Sequence, residues 1–413
     1  MGTTDVLRFR SETSAAKQRE EQLTGLLEMV RAHRHWPSVP APAILECTSE
    51  ELRQLMAQEV TNEVPREVAL ARDRGLTILG LLPRGYDTTS TVLDSFCQSV
   101  LGVYLSSQKT VALRMNRAPT AMADTLIHEF AHWAQDTLFG LGSRLKFSAQ
   151  HADRISALHA LAEGEATRIQ VELGPRGPSD PGVSDDDVLR LLRSSVAELE
   201  GPAFVRRSVI APYVDGYRFV SYLKQVGGWQ LVDQVWERGL SNTSEVLHPE
   251  RWVTKTGPLP PPESPLLPSR RLESVVVGDS ELELHESWGE QGLRILLEDA
   301  LAEPEAARLA SDWVRDSYWL LREGGRRKLA WLIEVTSSEQ ARRLVAALTL
   351  QFFGVLESGP GCRHGFNATI ALQVNRQDIV VTASDESDTP AASGTPSSCA
   401  SHLRWGAAIL RSL

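Results

Sequence analysis

Residues 124–136 read Asp-Thr-Leu-Ile-His-Glu-Phe-Ala-His-Trp-Ala-Gln-Asp. Apolar residues recur through this stretch with helical spacing, which predicts a buried helix over about 119–138. In a helix, His128 and His132 lie four residues apart and project from the same face, close enough to hold one ion. Glu129 is displaced around the helix, so it would lie beside the ion without entering its ligand shell.

A second predicted helix, over about 148–173, carries the run Ala-Glu-Gly-Glu-Ala at 162–166 among small and apolar residues. A catalytic zinc ion usually takes three protein ligands and keeps a fourth position for water. We expect Glu163 to supply the third ligand, with Gly164 allowing this helix to approach the histidine helix closely. The histidine spacing alone could arise by chance; the second helix is what favours a site for one Zn²⁺ ion.

The predicted site has the parts needed to hydrolyse an amide bond. A zinc ion lowers the pKa of its water and polarises a carbonyl group. Glu129 is expected to accept a proton from that water and to pass it to the departing amine. A metal-bound histidine normally donates its other ring nitrogen to an acceptor. Asp136, one turn beyond His132, is a candidate for that acceptor, or it caps the end of the helix.

The pattern His-Glu-x-x-His followed by Glu-Gly-x-Ala on a second helix resembles the gluzincin metallopeptidases, which include thermolysin-like and aminopeptidase-like enzymes. Further stretches are similar to a bacterial group of gluzincin-type peptidases; they are residues 79–87, 102–104, 128–136, 162–167, 212–220 and 244–250. The resemblance covers roughly residues 76–255, and more faintly 289–297 and 313–318. It departs at residues 102–106, Gly-Val-Tyr-Leu-Ser, where that group typically reads Gly-Phe-Tyr-Asp-Pro.

The resemblance implies a zincin-like fold, one zinc ion and a peptide or protein substrate. It also implies that Glu163 rather than Glu165 is the third ligand. The oxyanion formed during amide hydrolysis needs a further donor. Tyr213 is the first candidate, because it opens a helix in the similar Pro-Tyr-x-x-Gly stretch, and His248, in Leu-His-Pro-Glu, is the second. For each of them, packing or a hydrogen bond to a loop backbone is the alternative.

Around this site we predict an α+β fold, in which a mainly helical zincin-like catalytic domain with a small sheet or hairpin precedes a smaller α+β domain. The expected parts are an N-terminal helical region, the metallopeptidase domain, a proline-rich linker and the C-terminal domain; they span residues 1–75, 76–255, 256–270 and 271–413. Six prolines between 258 and 268 favour an extended linker.

Several further elements are expected from short-range patterns. Helices are predicted at 13–35, from 49, at 89–100, 188–199, 213–226, 289–301 and 338–350, and strands at 329–335 and 369–374. Residues 102–115 are typical of a β-hairpin. Its second strand, 110–115, would suit a sheet edge that pairs with an extended substrate, although a plain hairpin that closes the sheet fits equally well. Tyr217 is assigned to the core, and His151 and His159 receive no role.

Composition limits the other classes of function. The formal charge of −10 argues against nucleic-acid binding, and no stretch approaches the roughly 18 apolar residues of a membrane span. The N-terminal residues lack the apolar core of a signal peptide, so the protein is expected in the cytoplasm, or outside it if a leader was removed. Cys362 could pair with Cys399 and Cys47 with Cys97, although four free thiols fit equally well.

Three functions are consistent with these patterns. The leading prediction is zinc-dependent hydrolysis of peptide bonds. The second is a catalytically silent binding or scaffold protein that retains the zincin fold, and the third is a zinc hydrolase of a non-peptide amide or ester. The presence of Glu129 favours an enzyme, because a silent site has no need of a general base.

Overall fold

The computed structural model describes residues 14–115, 119–174, 184–195, 199–254, 269–354, 361–364, 368–385 and 399–413. The helices before residue 255 are α1 (Ser14–Arg34), α2 (Ser49–Glu63), α3 (Arg66–Ile78), α4 (Thr88–Ser99), α5 (Pro119–Phe139), α6 (Leu141–Arg144), α7 (Ala152–Leu173), α8 (Asp185–Ser194), α9 (Ala203–Arg238), α10 (Thr243–Leu247) and α11 (Pro249–Thr254). The later helices are α12 (Arg270–Val277), α13 (Gly289–Leu297), α14 (Glu303–Ala310), α15 (Ser338–Phe353) and α16 (Cys399–Ser412).

The strands form two sheets. They are β1 (Ala43–Cys47), β2 (Gly102–Leu105), β3 (Thr110–Arg114), β4 (Glu281–Glu286), β5 (Trp313–Glu323), β6 (Arg326–Val335), β7 (Gly361–His364), β8 (Ala368–Asn375) and β9 (Asp378–Asp385). The predicted α+β class, with a mainly helical N-terminal part, is therefore confirmed. Among the described helices, none combines the length and apolar character needed to cross a bilayer.

The small sheet has the strand order β1-β3-β2. The predicted hairpin is confirmed, since β2 and β3 pair antiparallel with Tyr104 opposite Val111. The expectation that residues 110–115 form a sheet edge is wrong, because β1 pairs in parallel with the other side of β3. One face of this sheet packs on α2, and the other packs on α1 and α5.

Three helices, α5, α7 and α9, form the layer that carries the predicted site. The two helices predicted over 119–138 and 148–173 are confirmed as α5 and α7. The expectation that Tyr213 opens a helix is wrong: α9 begins ten residues earlier, at Ala203, and Pro212 lies inside it. The helical φ/ψ pattern of α9 is interrupted only at Gly227 and Gly228, which form a kink.

Two glycines bring α7 and α9 into backbone contact. A Cβ atom on Gly164 would lie 2.1 Å from the carbonyl carbon of Gly216, and one on Gly216 would lie 1.8 Å from the carbonyl oxygen of Ala160. The sequence predicted that Gly164 lets α7 approach the histidine helix α5. That prediction is wrong in its partner, because Gly164 faces α9. The close contact fixes α7 at the residue next to Glu163.

The C-terminal sheet has the order β4-β5-β6-β9-β8-β7, and all its pairings are antiparallel. Because strand side chains alternate between faces, Leu329, Trp331 and Ile333 pack toward α13–α15, whereas Ala330 and Leu332 pack toward α12 and α16. The core on the first face also includes residues of α3 and α9. The domain boundaries stay a prediction, and most of the predicted linker lies outside the described residues.

The cysteines follow one of the two expected pairings. Cys362 of β7 and Cys399 of α16 form a disulfide, with Cα atoms 5.5 Å apart. The second expected pair is wrong, because Cys47 and Cys97 are free thiols. Cys47 is buried under α2, where its thiol donates to the Leu113 carbonyl.

Replacing Gly164 by alanine should force α7 and α9 apart, because the new methyl group meets backbone and not a flexible side chain. We expect the free energy of unfolding to fall by about 1–3 kcal/mol or more, as measured in urea. Gly25→Ala is the matched control. Gly25 lies exposed in α1 with nothing near its Cβ direction, so alanine there should stabilise by about 0.5–1 kcal/mol. Equal stability of Gly164→Ala and wild type would contradict the packing described here.

Candidate metal centre

Helix α5 presents the two predicted histidines to one point. Its apolar residues, which include Ile127, Phe130 and Ala131, are buried against α1, α7 and the small sheet, and this packing leaves the histidine face turned toward α7. The Nε2 atoms of His128 and His132 lie 3.1 Å apart. The i, i+4 spacing predicted from the sequence therefore brings the two imidazoles together.

Glu163 of α7 completes the group. Its Oε2 atom lies 3.2 Å from Nε2 of His128 and 3.5 Å from Nε2 of His132. Ligands about 2.0–2.1 Å from a tetrahedral ion lie about 3.3–3.4 Å from one another, so the three separations match the edges of such a shell. His128, His132 and Glu163 thus form a group that could bind a metal ion.

The charges within the group are strongly coupled. Burial alone would raise the pKa of Glu163, but the neighbouring imidazoles, His132 first, hold it well below its usual value. Burial alone would lower the pKa of His132, but the Glu163 carboxylate raises it to about 9. The ionised Glu163 carboxylate is therefore stabilised by a positive charge next to it, which the protonated His132 supplies. A divalent cation would displace the proton on His132 and take over this role.

Glu129 lies beside this group without joining it. The side chain is buried, and its Oε2 atom accepts a hydrogen bond of 2.7 Å from the backbone N–H of Tyr104. Burial raises the pKa of Glu129, although the charges of His128 and His132 oppose the shift. A buried carboxylate with a raised pKa next to a metal-binding group has the character of a general base.

Strand β2 holds this contact in place. The Leu101 carbonyl accepts from the Arg114 N–H, so the odd-numbered residues direct their backbone groups toward β3. In an antiparallel pair the alternate residues direct theirs away from the partner strand. The backbone groups of Gly102 and Tyr104 consequently face away from β3, and the Tyr104 N–H reaches Glu129.

The second ring nitrogen of His132 is bound by a residue that the sequence analysis missed. Nδ1 of His132 lies 2.9 Å from Oε1 of Gln135. The amide nitrogen of Gln135 in turn donates to the Ala162 carbonyl at 3.1 Å and to Glu165 at 2.9 Å. The sequence signal was present, since Gln135 lies three residues after His132 on the same helix face.

The prediction that Asp136 orients His132 is wrong. Its carboxylate accepts from the Tyr104 hydroxyl at 2.6 Å, from the Gly142 N–H at 2.9 Å and from Nζ of Lys109. Asp136 thus ties the hairpin and the end of α5 together. Nδ1 of His132 bonds to the side chain three residues later, Gln135, instead of the one four residues later. Asp136 therefore bonds to the hairpin and to the residues that follow α5.

The two candidate oxyanion donors have different positions. The ring of Tyr213 stacks on that of His128, with centroids 6.4 Å apart. Burial, followed by the charge of Glu163, raises the pKa of Tyr213 well above its ordinary value. His248 has its Nε2 atom 2.6 Å from Glu290. Within the described residues, its hydrogen bonds and ion pairs go to glutamates outside the metal group, so the structure brings Tyr213 to the centre but not His248.

His159 and Glu63 also border the centre, and neither was assigned a role from the sequence. Nε2 of His159 lies 3.3 Å from Oε1 of Glu163, and the His159 side chain is 45% exposed. Burial raises the pKa of Glu63, at the end of α2, to about 7, and His159, Glu163 and His132 are among the groups that influence it. His159 therefore contacts the centre directly, and Glu63 lies close enough to interact with it electrostatically.

Compared with protein-family models, with curated proteins and with solved structures, the chain gives no match. The resemblance to gluzincins therefore stays a prediction, and the function of the chain is inferred from the geometry of the centre.

Metal binding should require all three side chains. Purified protein is expected to bind about one equivalent of a divalent transition metal, measured by elemental analysis after dialysis. His128→Ala and Glu163→Ala should each lose it, because two remaining ligands cannot complete the shell. His151→Ala is the control and should retain the metal, since His151 lies outside the group. Full metal content in Glu163→Ala would show that the ion binds elsewhere.

Proposed function

We propose that this protein is a zinc-dependent peptidase of the gluzincin type, which hydrolyses bonds in peptides or proteins. The observation that carries the proposal is the buried Glu129 carboxylate beside a ligand group with tetrahedral spacing. Two imidazoles and one carboxylate are a ligand set of catalytic zinc sites, in which the fourth position stays open. The three ligand side chains keep between 11% and 13% of their surface exposed, which is consistent with solvent reaching that position.

A zinc ion held by His128, His132 and Glu163 would supply Lewis acidity for the carbonyl and a water of lowered pKa. Glu129 supplies the proton transfers. Its Oε2 atom is held by the Tyr104 N–H, which fixes the carboxylate and leaves the other oxygen to accept a proton from the attacking water. Because burial raises the pKa of Glu129, it can hold that proton and then donate it to the departing amine.

Tyr213 is the proposed donor to the developing oxyanion. Its raised pKa keeps the hydroxyl protonated at any physiological pH, and stacking on His128 holds the ring at the edge of the centre. A neutral hydroxyl held beside the metal group is more effective in a buried site than in water, because it needs little reorganisation when charge develops on the substrate.

The substrate is proposed to bind along the outer edge of β2. This is the edge of the small sheet that adjoins Glu129. Its outward backbone groups are those of Gly102 and the carbonyl of Tyr104, because the Tyr104 N–H is already bonded to Glu129. An extended peptide can add to such an edge through main-chain hydrogen bonds. Pairing with an extended substrate was predicted for residues 110–115; it is proposed here for β2, the other strand of the same hairpin.

Peptide cleavage tests the proposal directly. Wild-type protein is incubated with a mixed peptide pool, and cleaved bonds are identified by mass spectrometry. Glu129→Gln should lower the rate by about 10²–10⁴-fold, because it removes the general base, while the metal content stays at the wild-type level. Metal binding without cleavage of any peptide would contradict the peptidase proposal; activity on an ester or small-amide panel would then favour the other hydrolase, and its absence a scaffold.

Tyr213→Phe tests the oxyanion role separately. With the cleaved peptide as substrate, kcat should fall by about 10²–10³-fold with little change in KM, because the lost hydrogen bond forms only in the transition state. Tyr222→Phe is the control on the same helix, since Tyr222 packs against a hydrophobic cluster that contains no member of the metal group, and it should keep wild-type kinetics. An unchanged kcat in Tyr213→Phe would exclude this hydroxyl as the donor.

A further inference from the structure

A continuous series of buried hydrogen bonds leads from the metal group into the protein interior. It starts at Nδ1 of His132, which contacts Oε1 of Gln135, and continues from the Gln135 amide nitrogen to Oε2 of Glu165, with both distances 2.9 Å. Gln135 and Glu165 have no exposed surface. Glu165 therefore helps to hold His132 in place through Gln135. Its carboxylate is engaged in this contact and does not join the metal group.

The series ends at Arg34, the last residue of α1. Its Nε atom donates to Oε1 of Glu165 at 2.8 Å, and Nη2 forms an ion pair with the same oxygen at 2.6 Å. Nη2 donates to Asp233 at 2.7 Å. The guanidinium lies 4.7 Å from the ring of Trp36 and 4.2 Å from the ring of Trp229. An arginine from the N-terminal helix is thus held in the interior by two carboxylates and two indole rings.

The direction of each bond follows from the chemistry of its members. A guanidinium only donates, and the carboxylate paired with it only accepts. The side of Gln135 that faces Glu165 must therefore be its NH₂ group, and the Ala162 carbonyl requires the same orientation. This turns the Gln135 carbonyl oxygen toward His132, so Nδ1 of His132 must carry the proton. When a metal ion displaces the second proton of the ring, the lone pair is therefore left on Nε2, which faces the metal group.

We infer that Arg34 is a positioning residue for the metal centre, and that it acts through Glu165 and Gln135 to fix His132 in the tautomer whose Nε2 can bind a metal. The inference rests on the metal site of the proposed function. His128 provides a contrast within the same centre, because its Nδ1 atom is buried without a hydrogen-bond partner among the described residues. Of the two imidazoles, it is therefore that of His132 whose orientation depends on the series that ends at Arg34.

Gln135→Met tests the series while leaving the ion pair of Arg34 and Glu165 in place. Methionine has a similar size but offers neither a strong acceptor to His132 nor a donor to Glu165. Removing such a second-layer partner should weaken zinc binding by about 10–100-fold, as measured by competition between the protein and a chelator for Zn²⁺ at fixed pH. Zinc affinity equal to wild type would overturn the inference.

Arg34→Lys tests the far end of the series. Lysine keeps the charge but loses the planar fork that bonds Glu165. The matched control is Arg294→Lys, because Arg294 is a buried arginine that bonds both oxygens of Asp215. Both variants should lower the stability of the metal-free protein, whereas Arg34→Lys alone should weaken zinc binding. Equal zinc affinity in the two variants would mean that Arg34 has only a structural role and would overturn the inference.

The double variant shows whether the effect passes through Gln135. In the Gln135→Met background, Arg34→Lys should cause no further loss of zinc affinity, because the connection is already broken. A full additional loss would contradict the proposed route. If Arg34→Lys does not fold, Glu165→Gln tests the same connection, because Glu165 is bonded to both Arg34 and Gln135; it should lower zinc affinity, and an unchanged affinity would overturn the inference. Absence of zinc binding by the wild type is a different outcome, which would remove the proposed function and this inference together.

Discussion

Burying the carboxylate of Glu163 costs free energy that only adjacent positive charge and hydrogen bonds can offset. Three imidazole nitrogens surround it, from His128, His132 and His159, and without a metal the proton on His132 supplies the charge. The position of the carboxylate depends in turn on the glycine contact between α7 and α9, because Gly164 is the next residue. The packing of α5, α7 and α9 therefore sets the position of the Glu163 carboxylate, and this position sets the charges of the imidazoles around it.

The same centre gives two buried carboxylates opposite properties. Glu163 faces imidazoles, which hold its pKa far below the usual range, whereas burial outweighs the nearby histidines and raises the pKa of Glu129. A carboxylate that stays ionised suits a metal ligand, and one that can be protonated suits a base. The division of roles follows from which face of α5 or α7 carries each side chain, and it needs no further element.

The sequence predicted the parts of the site that depend on local periodicity. Helices α5 and α7 and the candidate ligands His128 and His132 follow from spacing within short stretches. Glu163 was expected from the second predicted helix and, over Glu165, from the resemblance, and the hairpin follows from β-prone runs around a polar turn. The sequence could not show contacts between distant segments, such as the pairing of β1 with β3 or the contact of Gly164 with Gly216. The bond between Arg34 and Glu165 is another, since these residues lie 131 positions apart in the sequence. The choice between Gln135 and Asp136 depended on side-chain direction, which spacing alone does not give.

The polar residues between His128 and Asp136 make different contacts. His128 and His132 belong to the group that could bind a metal ion, and Glu129 accepts a hydrogen bond from the Tyr104 N–H. Gln135 connects His132 to the interior. Asp136 receives the hydroxyl of the same tyrosine. Because Glu129 and Asp136 lie seven residues apart, about two helical turns, Tyr104 bonded to both must run alongside α5. Tyr104 therefore fastens β2 to α5 at two points, through its backbone N–H and its hydroxyl, next to the metal group.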